Sequence, residues 1–364
     1  MRIERVDVRR LEIPLSRPYR LSFGPVTHYD TIVVEIDGAA GEHGFGEATL
    51  LTGYTDETIG ESHALAWQIA AELAGTTGAA ARARMQSLAA RAPFVATAFH
   101  TAVDMAEGHA LLASRTTPAR VPILGLLQGD GEAELRDDFE RLLAAGYRTV
   151  KVKVGFDVGE DARLLASVQR VVAGRAAVRV DANQGYTADE AAVLIGQLDP
   201  AGIELFEQPC AAGDWTAHRL AADAAARTGL PLMLDESIYG VADIERAARE
   251  GACHFVKLKL MKFVGIDALV AAIERIRALS MQPVLGNGVA ADIACWMEAC
   301  VADRYIDSAG EMNGFLKPAQ MLFANPLRLE TGSVVVPAGA PTLDDAAVAR
   351  YTLDRTTAHV RVPG

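Results

Sequence analysis

Near the N-terminus apolar side chains fall on alternating positions: Ile3, Val6 and Val8, then the run TIVVEI at 31–36. A period of two predicts strands with one buried face. Ala-rich stretches with helical texture then run from about 57 to 114. Strands followed by helices predict an α+β domain over residues 1–120. From 121 the texture changes to short runs rich in Val, Ile and Leu. These are VPILGL (121–126), TVKVKV (149–154), AVRVDAN (177–183), IELFEQP (203–209), PLMLDES (231–237), HFVKLKL (254–260), PVLGN (283–287) and YIDSAGE (305–311). Their starts lie 22 to 29 residues apart, and the segments between, such as EDARLLASVQRVVAG (160–174), have helical periodicity. That repeat predicts a parallel β/α barrel over 121–325. A doubly wound open sheet would usually have about five or six strands and a Gly-rich first turn. The chain has no GxGxxG after the first run and no GxxxxGK[ST]. The last stretch, 326–364, contains VVVP (334–337) and HVRV (359–362), read as strands returning to the first domain.

Composition narrows the class without changing this outline. Half of the 364 residues are hydrophobic and the formal net charge is -12. That supports a large core and argues against a nucleic-acid binder, which would carry a basic face. No apolar run approaches the 18 uncharged residues of a membrane span. The four cysteines, Cys210, Cys253, Cys295 and Cys300, lack zinc-type spacing and read as reduced core thiols. The opening MRIERVDVRRLEIPL has no signal-peptide core, so a cytoplasmic protein is expected.

Candidate chemistry sits at the ends of the barrel runs, where barrels gather their functional groups. Side chains alternate on a strand, so Lys151 and Lys153 share one face while Val150, Val152 and Val154 take the other. The valines suit packing on helices, which turns both lysines into the barrel. Lys257 and Lys259 repeat the pattern on the sixth run. Lysines in a closed barrel need opposing charge. Asp181, Glu207 and Asp235 supply it, ending three consecutive runs 26 and 28 residues apart. Three converging acids repel unless a cation lies among them, and an all-oxygen set suits Mg²⁺.

The motifs KVKVG, VDANQGY, FEQP, LDES and KLKLMKFVG together resemble the enolase superfamily, specifically its muconate lactonizing enzyme subgroup. The resemblance implies a modified TIM barrel, (β/α)₇β, under an α+β capping domain built from the N-terminal region and the C-terminal tail. It implies Asp181, Glu207 and Asp235 as ligands of Mg²⁺, for which Mn²⁺ substitutes. It implies Lys153 and Lys259 as the acid/base groups, Lys151 as the helper beside Lys153, and Asn183 and Glu236 as groups behind the ligands. Lys257 is then a buried ion-pair partner, and Lys262 lies in the following loop. The family often has two glycines after that lysine, where this chain has Phe263-Val264-Gly265.

The reaction implied is removal of the α-proton of a small carboxylate substrate through an enediolate. The mandelate racemase branch has a His at the end of strand seven, where Leu285-Gly286-Asn287 stands here. Dipeptide epimerases of the subgroup carry Asp-x-Asp at strand eight. This chain has Gly310-Glu311-Met312, and Glu311 resembles the acid of cycloisomerases. The resemblance therefore leans towards cycloisomerisation. Racemisation or epimerisation of an amino-acid derivative, and syn-β-elimination, use the same groups. A Schiff-base aldolase with Lys153 as nucleophile is a rival outside the family. Substrate contacts are expected from Arg20, Phe23 and Tyr54 of two capping-domain loops, and from Asn287 and Glu311. GFGEA at 44–48 resembles the segment leading into the second loop, its glycines read as turn residues. Family habit suggests a homo-oligomer, from dimer to octamer.

Overall fold

In the computed structural model, residues 1–21, 24–51, 55, 57–287 and 289–360 are described. The period-two segments become β1 (Ile3–Leu21), β2 (Gly24–Gly38) and β3 (His43–Leu50) of an antiparallel sheet. Its other edge is the C-terminal strand β15 (Thr352–His359), which pairs with β1. Helices α1 (Ile59–Leu73), α2 (Gly78–Gln86) and α3 (Pro93–Ala106) follow. Thr58 and Thr77 cap the first two by accepting the Glu61 and Ala80 amides. The sheet is buried on both faces. Val6, Val8, Ile32 and Val34 pack with Val95 and Phe99 of α3, while Leu11, Ile13, Val33 and Phe45 join the core of the barrel.

The glycines of GFGEA are strand residues rather than turn residues. A Cβ at Gly44 would lie 2.2 Å from the Ala102 carbonyl oxygen, and one at Gly46 2.0 Å from that of Ala98. Their role is to let β3 lie directly against α3.

The chain then runs through β4 (Ala119–Pro122), β5 (Gly125–Leu126), α4 (Glu132–Ala144), β6 (Thr149–Lys153), α5 (Val158–Val172), β7 (Ala177–Asp181) and α6 (Ala188–Gln197). It continues through β8 (Ile203–Glu207), α7 (Trp215–Thr228), β9 (Leu232–Leu234), α8 (Val241–Glu250), β10 (Phe255–Leu258), α9 (Leu260–Phe263) and α10 (Ile266–Ala278). The barrel ends with β11 (Gln282–Asn287), α11 (Asp292–Tyr305) and β12 (Glu311–Met312). Strands β5 to β12 are parallel neighbours in sequence order. The Leu124 amide donates to Gly310 O and the Gly310 amide to Pro122 O, both at 2.9 Å, which joins the two ends of the sheet. Helices fill each connection from β5 to β12, and a 3₁₀ turn at Gly314–Leu316 comes directly after β12. The architecture is the (β/α)₇β barrel.

Three runs are shorter or differently paired than their apolar pattern predicts. The first splits, because Ala119–Pro122 pairs antiparallel with β14 (Ser333–Val336), itself paired with β13 (Arg328–Glu330). VVVP therefore lies beside β4 rather than in the N-terminal sheet, with Val334 and Val336 buried in the barrel's core. A short helix α12 (Asp345–Tyr351) then leads to β15. The eighth run becomes strand only at Glu311, since α11 keeps its helical period through Tyr305. All four cysteines are free and buried. Among the described residues no helix is long and apolar enough to cross a membrane.

Candidate active site

Parity along the strands decides what reaches the barrel interior. Val150 and Val152 pack into the helix-lined core, leaving Lys151 on the inside. Its Nζ lies 2.7 Å from Asp181 Oδ2, 2.7 Å from Glu207 Oε2 and 3.0 Å from Glu311 Oε2. Lys257 also lies inside, 3.1 Å from Glu207 Oε1 and 3.3 Å from Asp235 Oδ2, and bonded to Glu311. Below them Leu205, Met233 and Val284 form an apolar plug. Lys153, two residues further along β6, is 40 % exposed and ion-pairs with Asp181 Oδ2 at 2.5 Å. Lys259, just beyond β10, lies 2.9 Å from Asp235 Oδ1.

The structure thus brings together all seven charged groups that the strand ends predicted. Burial alone would discharge Lys151, but Asp181, Glu207 and Glu311 outweigh it and hold its pKa well above the ordinary lysine value. Lys257 is raised likewise, by Glu207, Glu311 and Asp235 against burial. Burial raises Asp181 too, yet Lys151, Lys153 and Lys257 bring it down to about 2. Glu207 goes the other way. Burial and the neighbouring Asp181 push it up to about 7 despite both buried lysines. Its Oε2 has Lys151 as an ion-pair neighbour but no aligned hydrogen-bond donor.

The turns after the strands hold these groups in place. Asn183, in a left-handed conformation (φ 42), donates its backbone amide to Asp181 Oδ1 at 2.9 Å and its side-chain amide to Glu236 Oε1 at 3.1 Å. Its Oδ1 accepts from Lys153. Asn183 thus links Asp181 and Lys153 to Glu236 on the exposed side of the acids. Gln208, fully buried, accepts from the Asp235 amide at 2.9 Å and donates to Ser237 Oγ at 2.7 Å. It ties the turn after β8 to the turn that carries Asp235. Asp161 gathers the amides of Gly155, Phe156 and Asp157 on one oxygen, with the Tyr186 hydroxyl 2.6 Å away. That fixes the turn after Lys153.

Some expected groups lie elsewhere. Asn287, expected at the substrate, is fully buried and its amide donates to Glu298 of α11. Parity is the reason: Val284 points into the plug, so Leu285 and Asn287 point out to the helices. Glu311 is bound into the inner ion cluster by Lys151 and Lys257 rather than presented at the mouth. Lys262 is a buried residue of α9 rather than a loop residue. It donates to the Asp235 and Ile238 carbonyls at 2.8 and 2.9 Å and lies over the Tyr239 ring. Phe23 and Tyr54 lie outside the described residues. Arg20 belongs to β1, and its side chain also lies outside what is described.

Lys317, which no motif marked, follows β12 where the chain is stitched to the capping sheet. Its carbonyl accepts the Ser16 amide at 2.8 Å. Burial lowers its pKa to about 8 against the pull of Glu311. Glu298 likewise had no signal in the strand pattern, because helix α11 supplies it.

A divalent cation suits the barrel acids. Asp181, Glu207 and Asp235 offer only oxygen donors. Glu207, held up near 7 with one oxygen lacking a donor, is the carboxyl that added positive charge would relieve. In this structure the ammonium groups of Lys151 and Lys257 lie among the three acids. Among the described residues, the group whose donor atoms all converge within 4.8 Å is a different one, Glu12, His28 and Asp30 on the capping sheet.

Residues 134–341 match the enolase C-terminal domain-like family, and residues 5–127 match the mandelate racemase/muconate lactonizing enzyme N-terminal domain. An L-Lys-D/L-Arg epimerase of Methylococcus capsulatus is 33% identical, over 86% of this chain and 91% of that protein. A chloromuconate cycloisomerase of Pseudomonas putida is 30% identical, over 73% of this chain and 75% of its own length. The crystal structure of a dipeptide epimerase from Cytophaga hutchinsonii, with Mg and D-Ala-L-Val, superposes with a TM-score of 0.85 at 21% identity, covering 98% of this chain and 100% of that one.

Proposed function

Because this chain belongs to the mandelate racemase/muconate lactonizing enzyme family of the enolase superfamily, whose relatives here are isomerases, we propose that it is an epimerase or racemase of an amino-acid derivative. Its substrate would be a carboxylate whose α-carbon is inverted. One observation carries this reading: Lys153 and Lys259 extend from strands four places apart in a closed ring of eight. They face each other across the mouth, each beside its own acid.

Inversion needs one group to take the α-proton from one face and another to return a proton to the opposite face. Lys153 and Lys259 suit those two positions. Each must be an uncharged amine when it accepts a proton, and positioned general bases contribute about 10²–10⁴-fold. Asn183 and Asp181 orient the Lys153 amine, and Asp235 that of Lys259. Lys151 and Lys257 keep the inner acids paired so that the mouth holds its shape. Asp181, Glu207 and Asp235 would hold Mg²⁺, or Mn²⁺ in its place, which supplies electrostatic stabilisation of the charge that develops on the substrate carboxylate.

The L-Lys-D/L-Arg epimerase at 33% identity supports a derivative of an amino acid. Gly310-Glu311-Met312 in place of Asp-x-Asp favours one without a free ammonium at that position. Cycloisomerisation remains the second reading, favoured by Glu311 and by the chloromuconate relative. The test is exchange of the α-proton in deuterium oxide, followed by NMR, over both enantiomers of N-acyl amino acids, over dipeptides and over muconate. Exchange with inversion of an amino-acid derivative is expected. Lactone formation from muconate with no exchange of any amino-acid derivative would replace this reading with the second.

A further inference from the structure

We infer that Glu298 and Asn287 are positioning residues for Lys259, acting from behind the barrel wall. This rests on the role proposed above for Lys259, and it accounts for a buried carboxylate that the reaction itself leaves unused.

Lys259 stands at the joint between β10 and α9, in extended conformation (φ -134, ψ 130). Its side-chain direction depends on how the next peptide is held. The amide of that peptide, Leu260 N, donates to Glu298 Oε1 at 2.9 Å. Asn287 at the end of β11 donates its side-chain amide to Glu298 Oε2. Cys295 Sγ lies 3.6 Å from both polar atoms of Asn287 and packs against its amide. One carboxylate therefore joins β10, β11 and α11 at the residue that carries the second acid/base group. All of these groups are buried, with Glu298 1% and Asn287 0% exposed. Lys153, across the barrel, has a separate support in Asp161 and Asn183.

The asymmetry makes the inference testable, because damage at Glu298 should reach one lysine and not the other. Glu298→Leu keeps roughly the volume and removes both acceptors, so the Leu260 and Asn287 amides lose their partner whichever way the Asn287 amide turns. A misplacement of about 1 Å costs up to about 10²-fold in rate.

The first measurement needs no substrate. Folded protein is treated with trace acetic anhydride, and acetylation of each lysine is read by mass spectrometry. In Glu298→Leu, Lys259 should label at least about threefold faster than in the parent. Lys151, Lys153 and Lys257 should keep their rates. Asn287→Ala should give the same pattern more weakly, and serves if Glu298→Leu does not fold. General loosening would speed all the buried lysines together and would overturn the inference, as would unchanged labelling of Lys259.

The second measurement uses an amino-acid derivative that exchanges in the screen above. Exchange from the face served by Lys259 should fall at least tenfold, and that from the Lys153 face should stay within about threefold. An equal loss on both faces contradicts positioning. If the parent exchanges no amino-acid derivative, the proposed function fails while the labelling result still decides this inference.

Discussion

Glu207 is the residue on which the reading of the mouth depends most. With Glu311 it is shared by both inner lysines, and burial with Asp181 beside it pushes its pKa up to about 7. Glu207→Gln keeps the shape and removes the charge. We expect Mg²⁺ affinity by calorimetry to fall at least tenfold, with the far-ultraviolet circular dichroism unchanged. Unaltered affinity would remove Glu207 from the ligand set. Seven charged residues of the site were legible in the sequence for one reason, strand parity at a repeated spacing. Lys151, Lys153, Asp181, Glu207, Asp235, Lys257 and Lys259 all lie near or just beyond the ends of strands. Lys262 was placed in a loop where a short helix stands, and Glu298 and Lys317 carried no signal, since a long helix and a turn supply them and no strand period governs those segments. Asn287 was misread because its distance from the strand end was counted and its parity was not. One residue's shift on a strand exchanges barrel interior for helix layer.

At the level of elements, the capping sheet and the barrel are joined where β3 meets α11. Glu47, on β3, accepts the Ala291 amide at 2.6 Å and the Ala294 amide at 3.1 Å, so the capping sheet supplies the carboxylate at the start of a barrel helix. Glu47 can reach that helix only because Gly44 and Gly46 let β3 lie flush on α3. Gly46→Ala would force its Cβ against backbone rather than against a movable side chain. Overpacking of this kind costs about 1–3 kcal/mol, read as a lower midpoint in urea. An unchanged midpoint would mean that the two elements separate easily. Strands β1 and β2 of the capping sheet and most of the barrel were predictable from period, whereas the glycines of β3 made it read as turn. The split of the first run, the pairing of VVVP with β4 and the late start of β12 depend on long-range pairing, which local periodicity does not encode.

Over the whole molecule, the buried acids around α11 make stability depend on pH. Asp292 accepts the Leu322 and Phe323 amides, and burial pushes it up to about 7. Burial also raises Glu298 to about 7 and raises Glu47. In the unfolded chain such carboxyls titrate near 4. The folded state therefore holds protons that the unfolded state has released, and stability falls as pH rises from about 4 to about 7. We expect the Tm to drop across that range, and Asp292→Asn to flatten the slope. A Tm that rises throughout the range would contradict the assignment.

The central claim, two lysines serving opposite faces of one α-carbon, is tested most directly by exchange in deuterium oxide with Lys153→Ala and Lys259→Ala. The enantiomers of one amino-acid derivative are followed separately by NMR. Each variant should lose exchange from one enantiomer by about 10²–10⁴-fold and retain it from the other, with the two variants opposite in their choice. Loss of exchange from the same enantiomer in both variants, or from neither, would contradict it.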